Sequence, residues 1–259
     1  MGKTIAVTNQ KGGVGKTTTS INLAASLAAN QHRVLLVDLD PQGNATMGSG
    51  VDKNQLDQGS SYDVIMGNLH LSEVAVNLPA AGYVLLPANG NLTAAEVELL
   101  DAKMREQRLR LALAQVRDKY DFILIDCPPS LNMLTVNALV AAHAALIPIQ
   151  CEYYALEGLS ALIGTIDKIR SRLNPKLRIA GLLRTMFDPR NNLANEVSGQ
   201  LLTHFREQLY TTIIPRNVRL AEAPSHGQPV LFYDRASRGA LAYLALASEM
   251  ARREANIPE

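Results

Sequence analysis

Along this chain, short runs of apolar residues alternate with longer stretches in which apolar residues recur every three or four positions. The short runs predict strands at 4–8, 33–37, 83–86, 122–125, 145–149, 179–185 and 212–214. The stretches of helical period predict helices at 16–29, 94–100, 105–117, 131–142, 156–173, 193–208 and 238–254, the fifth stopped by Asn174-Pro175. Strands that read as continuous apolar runs are covered on both faces, so the alternation predicts a mostly parallel, doubly wound α/β sheet with helices on both sides. The stretch 52–77 has no clear period and is too short to stand as a second domain. No internal repeat or low-complexity tract interrupts the pattern.

Composition narrows the class. With 259 residues, 47% hydrophobic and 19% charged, and a formal charge of only +1, the expectation is a single globular domain over 1–259. No apolar stretch approaches the roughly eighteen residues of a membrane span. The first strand begins directly at the N-terminus with no leader, so a cytoplasmic protein is expected. Cys127 and Cys151 lie in or beside apolar runs, without a Cys-x-x-Cys pair or a histidine cluster to complete a zinc site. Both are expected to be free thiols in the core.

The chemistry begins between the first strand and the first helix. Lys11 to Thr18 reads Lys-Gly-Gly-Val-Gly-Lys-Thr-Thr, a phosphate-binding loop in the right context. Gly12, Gly13 and Gly15 let the backbone N–H groups around Val14 and Thr18 turn onto a polyphosphate. Lys16 reaches the terminal phosphates, and the Thr17 hydroxyl is placed for Mg²⁺ at a helix N-terminus. A nucleoside triphosphate is the expected ligand. Gln10 stands where the general pattern has its first glycine, and a second lysine, Lys11, lies inside the loop.

Two acidic motifs follow strand ends, where ligands bind in open α/β sheets. In Ile123-Leu124-Ile125-Asp126-Cys127-Pro128-Pro129, Asp126 is the natural Walker B carboxylate, holding the magnesium shell through water. In Val37-Asp38-Leu39-Asp40-Pro41-Gln42-Gly43-Asn44, Asp40 lies on a loop punctuated by Pro and Gly that can respond to the γ-phosphate, and is the candidate for orienting the attacking water. Asp38, at the strand terminus, is expected to order this loop and the magnesium waters.

The loop with its extra lysine resembles the deviant Walker A motif of the ParA and MinD superfamily. Asn9-Gln10, Asp38 to Asn44, Asp126 to Pro129, Glu152-Tyr153-Tyr154-Ala155-Leu156-Glu157-Gly158 and Ile214 to Ser225 resemble the chromosomal ParA/Soj branch in the same order, over about residues 3–250. The resemblance implies an ATPase that dimerises face to face around two ATP molecules, with Lys11 reaching the partner's phosphates. It implies that Pro215 and Asn217 contact adenine, and that Glu152 touches a ribose or the dimer partner.

The same branch implies binding of nonspecific double-stranded DNA in the ATP state, nucleoid association, and hydrolysis stimulated by a ParB-type centromere-binding protein. After Lys176 every basic residue is arginine, ten against eight acids, or +2. Arginine suits phosphate contacts, and Arg190 and Arg219 are the candidates for the DNA surface. Two other classes share part of this pattern. A MinD-like ATPase acting at a membrane needs a basic amphipathic C-terminal helix with bulky anchors, whereas this chain ends with Glu249, Glu254, Pro258 and Glu259, so stable membrane binding is not expected. A metal-cluster carrier needs cysteines suitably placed to bridge subunits, which Cys127 and Cys151 are not. A related ATPase that positions a protein cargo remains open.

Overall fold

Val34–Asp38 and Phe122–Asp126 are buried at every position, the mark of strands roofed on both faces. The computed structural model describes residues 2–256. Its strands are β1 Lys3–Val7, β2 Val34–Asp38, β3 Val76–Leu78, β4 Tyr83–Leu86, β5 Phe122–Asp126, β6 Ala144–Gln150 and β7 Arg178–Thr185, in one sheet of order β3-β4-β2-β5-β1-β6-β7. All neighbours are parallel except the edge pair β3 and β4. The helices are α1 Lys16–Ala29, α2 Asn44–Gly48, α3 Ser61–Met66, α4 Leu71–Val74, α5 Leu92–Glu98, α6 Arg108–Ala114, α7 Met133–Ala141, α8 Ala155–Arg172, α9 Asn192–His204, α10 Val218–Glu222, α11 Val230–Tyr233 and α12 Arg238–Ala255.

Successive residues of a strand face opposite sides, and the two cores divide accordingly. Ile123 and Ile125 of β5 join the apolar cluster built with α3 to α9. Phe122 and Leu124 join the cluster built with α1 and α12. On that second face α1 and α12 are also tied by a buried hydrogen bond between the Thr19 and Tyr243 hydroxyls, 3.1 Å. Both cysteines are buried free thiols, as expected.

The expected strand at 212–214 does not form. The Thr211 and Thr212 amides donate to the Glu249 carboxylate of α12, both at 2.8 Å, so a side chain takes the hydrogen bonds that a neighbouring strand would have taken. The segment touches β7 through single bridges, Leu182 with Leu209 and Phe187 with Pro215. Gly181 makes this approach possible: a side chain there would lie 2.5 Å from the Tyr210 ring, and β7 shifts register against β6 beside it. The irregular stretch 52–77 holds α3, started by a Ser60/Asp63 capping box, and α4, followed by the first residues of β3. These elements are too short to show a period in sequence.

Candidate nucleotide site

The glycine loop is pinned at both ends and open in the middle. Asn9 donates its amide to Pro148 O at 2.8 Å and accepts the Lys11 N–H at 2.9 Å, fixing the exit from β1. Further on, the Thr185 hydroxyl at the end of β7 donates to Val14 O at 2.8 Å. Gly13 and Gly15 have φ of 75° and 87°, a left-handed conformation that only glycine adopts at low cost. Gly15 precedes α1 without any side-chain cap. The first N–H groups of α1 therefore point at the loop unsatisfied, with the positive end of the helix dipole behind them.

Two lysines meet at this loop. Lys16 is buried, and its ammonium donates to Lys11 O at 3.1 Å. Burial lowers its pKa, partly offset by the negative charge of Asp126 and Asp40. It is a desolvated cation whose partner is a loop carbonyl, a suitable receiver for phosphate charge. Lys11 is ion-paired within its own chain, its Nζ 2.5 Å from Glu152 Oε2, with both side chains a little under half exposed. Glu152 is thus placed on Lys11, a contact the sequence reading did not foresee.

Behind the loop lie three carboxylates. β2 and β5 are neighbours with Asp38 opposite Asp126 in register, so the topology sets two buried acids side by side. Asp38 is fully engaged: Oδ1 accepts the Asp40 N–H at 3.1 Å, and Oδ2 accepts the Thr46 N–H at 2.8 Å and the Thr46 hydroxyl at 2.7 Å. Its ordering of the 38–46 loop is therefore visible in the geometry. Asp126 accepts the Ser20 hydroxyl on Oδ1 at 2.8 Å, while its buried Oδ2 has no hydrogen-bond partner. Burial pushes the Asp126 carboxyl well above its ordinary pKa, and the neighbouring Asp38 adds to the shift against the hydroxyls of Thr17 and Ser20.

A buried carboxylate oxygen without a donor, next to a second acid, calls for a cation. The hard oxygen donors of Asp126 and Thr17 suit Mg²⁺, so these residues fit the ion that the glycine loop implies. Asp40 is buried as well, and its Oδ1 accepts only the Gln42 N–H at 2.9 Å among the hydrogen bonds of its side chain. Ser20 was missed by the sequence reading. Its signal was its spacing, one helical turn beyond Lys16 on the face of α1 toward β5.

The candidate adenine loop lies beside the phosphate loop through β7. Past Thr185, which holds Val14, Phe187 N donates to Ile214 O at 3.0 Å and Arg216 N to Phe187 O at 3.1 Å. Pro215 is bridged to Phe187. Asn217 is the N-cap of α10, its Oδ1 accepting the Arg219 and Leu220 N–H groups at 3.0 and 3.3 Å. Arg219 pairs with Glu222 at 2.8 Å and Asp234 at 3.2 Å. Arg190, its side chain 88% exposed, pairs with Asp188 at 2.7 Å. Neither candidate DNA contact is a bare cation, and the acids beside them offset their charge locally.

A parallel sheet that delivers a glycine loop, a helix N-terminus and a strand-end aspartate to one point defines a P-loop NTPase. Comparison with known proteins refines that class. Residues 2–179 match the AAA domain family AAA_31. The chain is 52% identical over 251 residues to the sporulation initiation inhibitor protein Soj of Bacillus subtilis, covering 97% of this chain and 99% of that one. It is 50% identical over 254 residues to the chromosome partitioning protein ParA of Myxococcus xanthus, covering 98% and 89%. Its fold matches a cobyrinic acid a,c-diamide synthase structure from Mycobacterium smegmatis with bound ADP and magnesium, with a TM-score of 0.86 and 37% identity over 99% of this chain and 96% of that one. The chain belongs to the ParA/Soj family of the ParA and MinD superfamily.

Proposed function

We propose that this chain, acting as one ATPase domain, is a chromosome- or plasmid-partitioning ATPase of the cytoplasm and nucleoid that uses ATP and Mg²⁺. Near-full-length similarity to Soj and ParA proteins supports the partitioning role. The single structural observation that carries the nucleotide site is the buried, unpartnered Asp126 oxygen behind the uncapped N-terminus of α1.

In this reading Gly12 to Thr18 hold the phosphates through backbone N–H groups, and Lys16 meets their charge without first shedding a hydration shell. Thr17 and Asp126 would hold the metal, the first directly and the second through water, with Asp38 supporting that shell. When bound, Mg²⁺ supplies charge neutralisation across the phosphates. Asp40 accepts a proton from, and orients, the attacking water. Pro215 and Asn217 flank the base. Lys11 leaves Glu152 and crosses to the phosphates held by a second copy, so hydrolysis requires the homodimer.

The dimer presents Arg190 and Arg219 from both subunits to double-stranded DNA, and a ParB-type partner stimulates turnover and release. Gel shift on random-sequence duplex with ATP, with ADP and without nucleotide tests this. Binding with ATP alone is expected; equal binding in all three conditions would overturn the partitioning cycle.

A further inference from the structure

At the end of the sheet opposite the phosphate loop, a cavity of about 640 Å³ opens between α6, the end of α7 and the chain entering β7. Thr4, near the start of β1, lines it, whereas the phosphate loop leaves β1 beyond Val7. Its walls are of two kinds. Leu111, Leu113 and Val140 supply apolar surface, and Arg110, Arg117, His143 and Lys176 are its titratable groups. No Asp or Glu lines it among the described residues. The carbonyls that end α7 are engaged as well: the buried Asn174 side chain donates to Leu139 O, Val140 O and Ala142 O at 2.9, 3.2 and 2.8 Å.

His143 sits among these cations in a fixed tautomer. Its Nδ1 accepts the Thr4 N–H at 2.8 Å, so the hydrogen of the neutral ring is on Nε2. Burial and the charges of Arg117, Lys3, Arg178 and Lys176 push the ring's pKa down to about 4, and the neutral form prevails near neutral pH. Nε2 lies 3.4 Å from Nη1 of Arg117, a group that only donates. Two donors thus meet with no acceptor between them, an arrangement that costs free energy until one acceptor serves both.

We infer that this cavity binds a small monocarboxylate with an apolar chain, its carboxylate held between His143 and Arg117 and its chain laid on Leu111, Leu113 and Val140. A carboxylate presents two oxygens to two donors and brings a negative charge to a wall that has none. The apolar wall selects against a compact, strongly hydrated anion such as phosphate, whose lost hydration it does not replace. Arg110 and Lys176, both exposed, favour the approach of an anion. Lying at the far end of the sheet, the site rests on neither the ATPase nor the DNA reading.

The test is calorimetric titration of the full chain with octanoate, against acetate, octanol and inorganic phosphate. Saturable binding of one octanoate with a Kd below about 1 mM is expected, the other three being at least about tenfold weaker. His143→Asn keeps an acceptor for the Thr4 N–H but removes the Nε2 donor, and should weaken octanoate by about tenfold or more. R110E/K176E, at exposed positions, should weaken it by about threefold or more. Ala114→Phe puts a ring into the cavity from an exposed lining position and should abolish binding. All three variants should bind ATP as the wild type does.

No saturable octanoate binding, or binding unchanged by Ala114→Phe, would overturn the site. Octanol as tight as octanoate would reduce it to an apolar pocket without charge selection, and acetate or phosphate as tight would leave an anion site without a chain; either result overturns the proposal. So would displacement of octanoate by random-sequence duplex DNA, which would assign these cations to a nucleic-acid surface. Full affinity in His143→Asn would overturn the placement of the carboxylate. Should that variant fail to fold, the imidazole NMR signals of wild-type His143 read the same contact, moving with octanoate and not with octanol.

Discussion

Lys11 has one partner in the isolated chain and another in the proposed dimer. Its pair with Glu152 is nearly half exposed, and such pairs contribute about 0–1 kcal/mol. It can therefore hold Lys11 in place without preventing release. Glu152→Gln is expected to strengthen ATP-dependent dimerisation by no more than about thirtyfold, the equivalent of two such pairs per dimer, as read by sedimentation. Lys11→Ala should leave nucleotide binding by the monomer nearly intact and abolish both dimer and hydrolysis, whereas Lys16→Ala should abolish nucleotide binding itself. A full ATP dimer from Lys11→Ala would exclude the cross-subunit role. Asp40 is separable from the phosphate cradle, because its side chain supports only its own loop. Asp40→Ala should bind ATP and dimerise yet hydrolyse about 10²-fold more slowly or worse; single-turnover assays check this.

Among the elements, the 209–214 segment shows how an irregular stretch is held by a side-chain carboxylate and isolated bonds to β7 rather than by a continuous ladder. Glu249 accepts the Thr211 and Thr212 N–H groups and the Thr212 hydroxyl, and pairs with Arg253. The Arg253 guanidinium lies 4.3 Å from the Tyr210 ring centre and also donates to Leu209 O. Burial pushes the Glu249 carboxyl up, but these donors together outweigh it and hold its pKa below the ordinary 4.5. A carboxyl with a depressed folded pKa adds stability above its unfolded value and loses it as pH falls through the folded one. Glu249→Gln should thus cost about 1–3 kcal/mol near neutral pH. The gap to wild type should close below pH 4.5. Denaturant titrations at several pH values measure both, and a gap independent of pH would show that the charge contributes nothing.

For the whole molecule, a formal charge of +1 gives no long-range attraction to DNA. Binding must come from local arginines doubled by dimerisation. Arg190 and Arg219 are each engaged with acids at the surface, weak pairs that a phosphate can replace. Four such arginines per dimer, at about 0.9 per neutralised phosphate, imply a log–log salt slope of roughly 3 to 4 in magnitude. Removing one per subunit should lower it by about 2 while leaving nucleotide binding unchanged. Arg219 lies two residues past the Asn217 cap and donates its N–H to it, so Arg219→Ala separates two roles: a lower slope places it on DNA, and impaired ATP affinity with an unchanged slope places it in the nucleotide loop.

The chain's sequence by itself determined the parallel sheet, the phosphate loop and the strand-end aspartates. Buried strands need unbroken apolar runs, and a phosphate cradle needs glycines and lysine at fixed local spacing, so both are written over a few consecutive residues. It did not determine what is joined across long separations. That Glu152 holds Lys11, that Ser20 steadies Asp126, and that Thr185 fixes Val14 depend on strand order, which brings residues more than a hundred positions apart to one end of the sheet. The apolar run at 212–214 was legible as a strand and became a loop, because the acceptor for the Thr212 N–H came from α12 and only the Ile214 N–H reaches β7, at Arg184 O. Local pattern states what a segment can form; the tertiary structure decides which hydrogen-bond partner reaches it.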